Sequence, residues 1–146
     1  MITYPLLLDK FKTLLKTNTL KFTKQRELIL KFLYDNDEHY TPEDIYMLLK
    51  KENPDINIGI ATVYRTLTLL EDSEIASSIS FGAQGKKYEL GLKKHHDHLI
   101  CTSCGNIIEF FDETIEEQQE KIAAKFNFKM TGHTMKIVGL CEKCQN

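Results

Sequence analysis

Apolar residues recur at helical spacing through the first half of the chain, then shift toward short alternating runs interrupted by one further helical stretch. An amphipathic N-terminal segment closes on Leu14 and Leu15. After Thr17, Asn18 and Thr19 a second begins around Thr23, where Leu28, Ile29, Phe32 and Leu33 form one face and Lys24, Arg26, Glu27 and Lys31 the other. The Asp35-Asn36-Asp37 turn ends it. The next start signal is the clearest in the chain. Thr41 reads as an N-cap, Pro42 suits the first helical position, and Asp44 is placed to complete a capping box. Ile45, Leu48 and Leu49 give the expected buried stripe, Lys50 and Lys51 suit the negative end of the helix dipole, and Pro54 lies just beyond.

A third helix is expected from about Ile60 to Asp72, with Val63, Leu67 and Leu70 inward. At about 100° per residue the opposite face carries Ala61, Tyr64, Arg65 and Thr68. That face is poor core material and good material for phosphates and base edges. Ile75–Phe81 and Lys86–Leu90 read as two strands around a glycine-rich, flexible tip, Gly82-Ala83-Gln84-Gly85. Helices followed by a hairpin is the winged-helix order, with the second and third helices as the helix-turn-helix unit. Beyond His95 the pattern becomes strand (His98–Cys101), strand (Ile107–Phe111), helix (Thr114–Phe126), strand (Met130–Leu140). The reading is an α+β chain of two domains: a winged helix over 1–91, with hairpin and hinge at about 75–91, and a small α/β domain over 92–146.

A formal net charge of -2 excludes a protein that is basic all over, so nucleic-acid contact would need a local patch. Lys10, Lys12, Lys16, Lys21, Lys24, Arg26 and Lys31 supply one, although a charge run alone is more often a solvated helix face. The apolar stretches are short and broken by charge, and no secretion signal opens the chain, so a cytoplasmic protein is expected.

Four cysteines in a reducing compartment point to metal binding or redox work. Cys101-Thr102-Ser103-Cys104 and Cys141-Glu142-Lys143-Cys144 are two matched knuckles able to surround zinc with four thiolates. A redox pair and a pair of disulfides are the alternatives, and two matched knuckles in a small domain favour zinc. Four sulfurs leave no open coordination position, so that metal would stabilise rather than catalyse. His95-His96-Asp97-His98 is a second cluster. In extended backbone His96 and His98 point one way, His95 and Asp97 the other, so one run could feed two metal sites. Nitrogen and carboxylate ligands suit iron, manganese, zinc or cobalt comparably.

Over nearly its whole length the chain resembles the ferric uptake regulator family. The residues carrying the match are Thr23-Lys24-Gln25-Arg26, His39-Tyr40-Thr41-Pro42-Glu43, Ala61-Thr62-Val63-Tyr64-Arg65-Thr66-Leu67, His95-His96-Asp97-His98 and both cysteine pairs. The resemblance implies a dimeric metal-sensing repressor with a winged-helix DNA-binding domain and an α/β dimerisation domain. It implies structural zinc (Zn2+) on Cys101, Cys104, Cys141 and Cys144, a regulatory site of His39, Glu89, His96, His98 and Glu109, and an additional site of His95, Asp97, Glu116 and His133. All five histidines and four cysteines are then used. It further implies Tyr64 and Arg65 in the major groove and Lys21 in the minor groove of an A/T-rich inverted-repeat operator on double-stranded DNA. The partner is a second copy of the chain, a tetramer being left open.

Ferrous iron (Fe2+) is the expected corepressor, with Mn2+, Co2+ or Zn2+ as substitutes. The resemblance also covers zinc, manganese and peroxide sensors. Peroxide sensors look as if they place aspartate where this chain has Glu109, which favours the iron-responsive reading. A metal-dependent hydrolase is the competing class. It would need an open coordination position, a placed general base and a substrate pocket, and the sequence supplies neither of the last two.

Overall fold

The computed structural model describes residues 2–80, 85–92 and 95–146. The chain divides into two compact units, Met1–Lys93 and Lys94–Asn146.

In the first unit, α1 (Tyr4–Thr17) buries Leu7, Phe11 and Leu15, spaced one turn apart along a single stripe. Helix α2 (Lys24–Asp35) starts where the Thr23 side chain accepts the Arg26 N–H, and α3 (Pro42–Glu52) starts at a complete capping box between Thr41 and Asp44. Helix α4 (Ile60–Asp72) packs against α2, α3 and the first strand, turning Val63, Leu67 and Leu70 inward. The antiparallel hairpin β1 (Ala76–Ser80) and β2 (Lys86–Leu90) follows, in register from Ala76 opposite Leu90 to Ser80 opposite Lys86. The hairpin tip at 81–84 lies outside the described residues, as does the last residue of the expected first strand. One core joins all six elements, including Ile29, Leu30, Leu33, Ile45, Leu49, Tyr88 and Leu90. Each such side chain contributes roughly 1.5–3 kcal/mol on burial.

One expected core residue is placed otherwise. Leu48 is 37% exposed. The buried arc of α3 is centred on Pro42, Ile45 and Leu49. Relative to Ile45, Leu49 lies at about +40° and Leu48 at about -60°, which puts Leu48 on the rim of the arc.

In the second unit, β3 (Asp97–Cys101) is the central strand of a three-stranded sheet in the order β4-β3-β5. Strand β4 (Ile107–Phe110) pairs with it antiparallel and β5 (Lys136–Gly139) parallel, with α5 (Glu113–Lys125) between them in sequence. A 3-10 turn, Glu142–Cys144, ends the fold. Strand β5 is much shorter than the Met130–Leu140 run read from the sequence. Backbone groups form a strand only where a neighbour offers partners, and β3 offers them from His98 to Cys101, opposite Lys136 to Gly139.

Candidate metal centres and nucleic-acid interface

The cysteine knuckles lie at the ends of adjacent strands. Cys101 closes β3, and Gly105 takes φ +76°, a left-handed conformation that a side chain would oppose. This lets the chain reverse so that the Gly105 N–H reaches the Cys101 carbonyl at 3.0 Å and the Cys101 N–H reaches Asn106 at 2.9 Å. Cys141 follows β5 and opens the terminal turn. The four Sγ atoms lie within 4.8 Å of one another, and Cys104 and Cys141 are 3.7 Å apart. A tetrahedral zinc with bonds of about 2.3 Å spaces its sulfurs about 3.8 Å apart, so the cluster fits the metal. No disulfide joins the four.

Their thiols are not equivalent. The backbone N–H groups of Cys104 and Cys141 donate to Cys101 Sγ at 3.5 and 3.4 Å, and they lower its pKa to about 6. Cys144 has a hydrogen bond to Ser103 that favours its thiolate, yet the sulfurs of Cys141, Cys101 and Cys104 together push it up to about 12. A cation among the sulfurs would remove that opposition and hold all four as thiolates.

The second cluster gathers around Asp97, at the start of β3. Asp97 is 1% exposed, and neither of its oxygens accepts a hydrogen bond; Oε1 of Glu116 on α5 is likewise buried without one. His95 and His133 complete the group. Their Nε2 atoms are 3.0 Å apart, His95 lies 3.5 Å from Asp97 and 3.4 Å from Glu116, and His133 lies 3.5 and 3.2 Å from the same two oxygens. Four ligands about 2.0–2.1 Å from one ion stand about 3.3–3.4 Å apart, close to this spacing. A buried Asp97 carboxylate that accepts no hydrogen bond, beside a buried Glu116 oxygen that accepts none, is costly unless a cation compensates the charge. The residues therefore fit a divalent metal.

The remaining candidate ligands fall in both units. In the first, Tyr40 and Tyr88 form an antiparallel bridge, with N–H to carbonyl distances of 3.0 and 2.7 Å in the two directions. That register brings His39 opposite Glu89, and Nε2 lies 3.1 Å from Oε2. In the second, His98 of β3 stands opposite Glu109 of β4, so both share a face with His96. His96 Nε2 lies 3.4 Å from Glu109 Oε1, and the two imidazole rings are 4.7 Å apart. His96 and His98 thus take one side of the run, and His95 and Asp97 the other.

On the α4 surface Ala61, Tyr64, Arg65 and Thr68 are all exposed. The Tyr64 phenol donates to Glu43 in the first turn of α3. Part of the basic run is an ordinary helix face: Lys24 pairs with Glu27 at 3.6 Å and Lys31 with Asp35 at 3.0 Å, surface pairs of little energetic weight. Lys21 lies in the loop between α1 and α2. The Arg26 guanidinium donates to its carbonyl, and Lys12 lies over the Phe22 ring at 4.8 Å. The sequence marks Glu43 only as part of the family match, and it does not single out Glu71. Glu71, at the end of α4, accepts from Ser78 of β1 and from Lys86 of β2, tying the wing to the helix before it. No periodicity marks such long-range partners.

The sequence model of the Ferric uptake regulator family matches residues 17–138. The chain belongs to that family. It is a metalloregulatory, DNA-binding transcriptional repressor of the ferric uptake regulator type, and its fold is a winged helix followed by a dimerisation domain with a four-cysteine cluster. It is 57% identical over 145 residues to the Ferric uptake regulation protein of Campylobacter jejuni, covering 99% of this chain and 92% of that one. The solved ferric uptake regulator of Helicobacter pylori superposes with a TM-score of 0.90 at 36% identity, over 99% of this chain and 95% of its own. The peroxide stress regulator of Campylobacter jejuni also matches, with a TM-score of 0.67 at 28% identity, over 98% of this chain and 100% of its own. Members of this family regulate transcription, bind DNA and form dimers. Among the described residues no helix is long and apolar enough to cross a membrane.

Proposed function

We propose that this regulator is an iron-responsive repressor, acting as a dimer on A/T-rich inverted-repeat DNA in the compartment that holds the chromosome. The observation that supports its metal dependence is Asp97, fully buried among His95, His133 and Glu116 with neither oxygen accepting a hydrogen bond. The similarity to the Helicobacter pylori regulator, which has three functional metal-binding sites, supports three ligand groups here.

Cys101, Cys104, Cys141 and Cys144 hold structural zinc in this reading. His95, Asp97, Glu116 and His133 hold an additional divalent ion. His39 and Glu89 from the first unit, with His96, His98 and Glu109 from the second, form the regulatory set. Ferrous iron held by such a set would supply the positive charge that compensates its carboxylates, and Mn2+, Co2+ or Zn2+ could substitute. The Tyr40–Tyr88 bridge holds His39 and Glu89 ready, and the β3–β4 pairing holds His96, His98 and Glu109. As corepressor, the metal would set the spacing of the two α4 helices in the dimer, which must match successive major grooves about 34 Å apart. Tyr64 and Arg65 then read the groove, and Lys21 reaches the adjacent minor groove.

Glu109 favours iron sensing over peroxide sensing. The likeness to a peroxide stress regulator keeps that second reading testable. Anisotropy of a labelled A/T-rich inverted repeat, titrated anaerobically with ferrous ion and then exposed to peroxide, separates them. Tight binding that requires metal and survives peroxide is expected. Irreversible loss after peroxide assigns the chain to peroxide sensing, and binding indifferent to metal removes the switch.

A further inference from the structure

Tyr64 lies in the second turn of α4 and Glu43 in the first turn of α3, so the hydrogen bond from the phenol to the carboxylate crosses between the two helices of the helix-turn-helix unit. Tyr64 is 44% exposed, too much for packing alone to fix its ring. Without the bond, the ring could turn about both its side-chain torsions. The bond with Glu43, followed by partial desolvation, raises the Tyr64 pKa above the usual phenol value, so the proton stays on the phenol and points at the carboxylate. The outward side of the phenol oxygen then has only lone pairs to offer, and the ring presents a flat apolar face.

We propose that Glu43 is a specificity-determining positioning residue, whose carboxylate holds Tyr64 in the one orientation that sets its ring against a thymine methyl group. The proposal rests on the assignment of Tyr64 to the DNA-facing surface. It also explains an acidic residue beside a surface that approaches phosphates. A bare carboxylate there would repel DNA, whereas Glu43 is drawn back by the phenol and by the positive N-terminus of α3. Tyr64→Phe therefore both frees the ring and uncovers a charge. Glu43→Gln in the Tyr64→Phe background recovers part of the lost affinity.

The test uses the full-length, zinc-loaded protein with manganous ion and an A/T-rich inverted-repeat duplex that the wild type selects from a random pool. Thymines are replaced singly by deoxyuridine, which removes only the methyl group. For the wild type, replacement of a single thymine in one half-site weakens binding about fourfold, the value of one buried methyl. Glu43→Ala loses this discrimination, and Glu43→Gln, whose amide oxygen can still accept the phenol proton, keeps it. Circular dichroism confirms that each variant is folded. If Glu43→Ala retains the full penalty at the same thymine, the positioning role is wrong while the assignment of Tyr64 stands. If Tyr64→Ala binds and discriminates like the wild type, or the wild type selects no duplex, the DNA reading fails and takes the proposal with it.

Discussion

At the scale of single residues, protons govern what the ligands can do. Cys101 gives up its proton at about 6 because two backbone N–H groups point at its sulfur, while Cys144 keeps its own up to about 12 against three neighbouring sulfurs. At neutral pH zinc must therefore displace the Cys144 proton, whereas Cys101 already stands as a thiolate. Zinc affinity accordingly rises with pH through neutrality, roughly tenfold per unit for each proton released. Chelator competition at pH 6.5 and 8 measures this, and a flat profile would mean the cluster binds without losing protons. Below about pH 6 Cys101 protonates too, so its contribution disappears in acid. Arg65 is a different case, because it is exposed on α4 and alanine is a good helix former. Arg65→Ala should leave zinc content, dimer mass and melting temperature near wild type while weakening operator binding by about 1–3 kcal/mol. Loss of dimerisation instead would contradict its placement.

At the scale of elements, the capping box of α3 is the sharpest local determinant. Thr41 Oγ1 accepts the Asp44 N–H at 3.1 Å, and an Asp44 carboxylate oxygen accepts the Thr41 N–H at 3.2 Å. Thr41→Ala should cost about 0.5–2 kcal/mol in urea unfolding of the first unit. A null result would mean that packing of Ile45 and Leu49 alone fixes the helix start. This cap was legible in the sequence because every group it needs lies within four residues, and the Val63, Leu67 and Leu70 stripe was legible because its period is local. Leu48 departs from the expected stripe because membership of a stripe does not say where the partner helices centre the buried arc. Strand β5 was overextended for a similar reason: Met130 to Leu140 is apolar enough for a strand, but β3 decides how much of it pairs. The Tyr40–Tyr88 bridge was invisible, since residues far apart in sequence carry no periodic sign of pairing. His39 and Glu89 could therefore be named together only from the family resemblance, and the bridge supplies the physical reason they adjoin.

At the scale of the whole molecule, the second unit does not enclose its own core. Helix α5 buries no residue, all four residues of β5 are exposed, and Ile122, Phe126, Phe128, Ile137, Val138 and Leu140 are between 47% and 78% exposed. A unit of this size cannot hide enough apolar surface by itself, and both a metal cluster and a second copy of the chain are the kinds of support it needs. The edge of β5 away from β3 also leaves backbone groups for another strand. A dimer contact there would cover that face and that edge. Val138 is 63% exposed in the single chain, so Val138→Lys should leave the folded unit and its zinc intact. The same lysine would be buried without a partner in the dimer, at a cost of several kcal/mol per chain. Analytical ultracentrifugation at micromolar concentration should then find monomers. Operator binding should collapse as well, because a monomer reaches one half-site and forfeits the second set of contacts. A variant that remains dimeric with zinc bound would move the interface off β5. A variant that loses zinc would show instead that the partner strand is needed to hold the end of β5, and with it Cys141, in place.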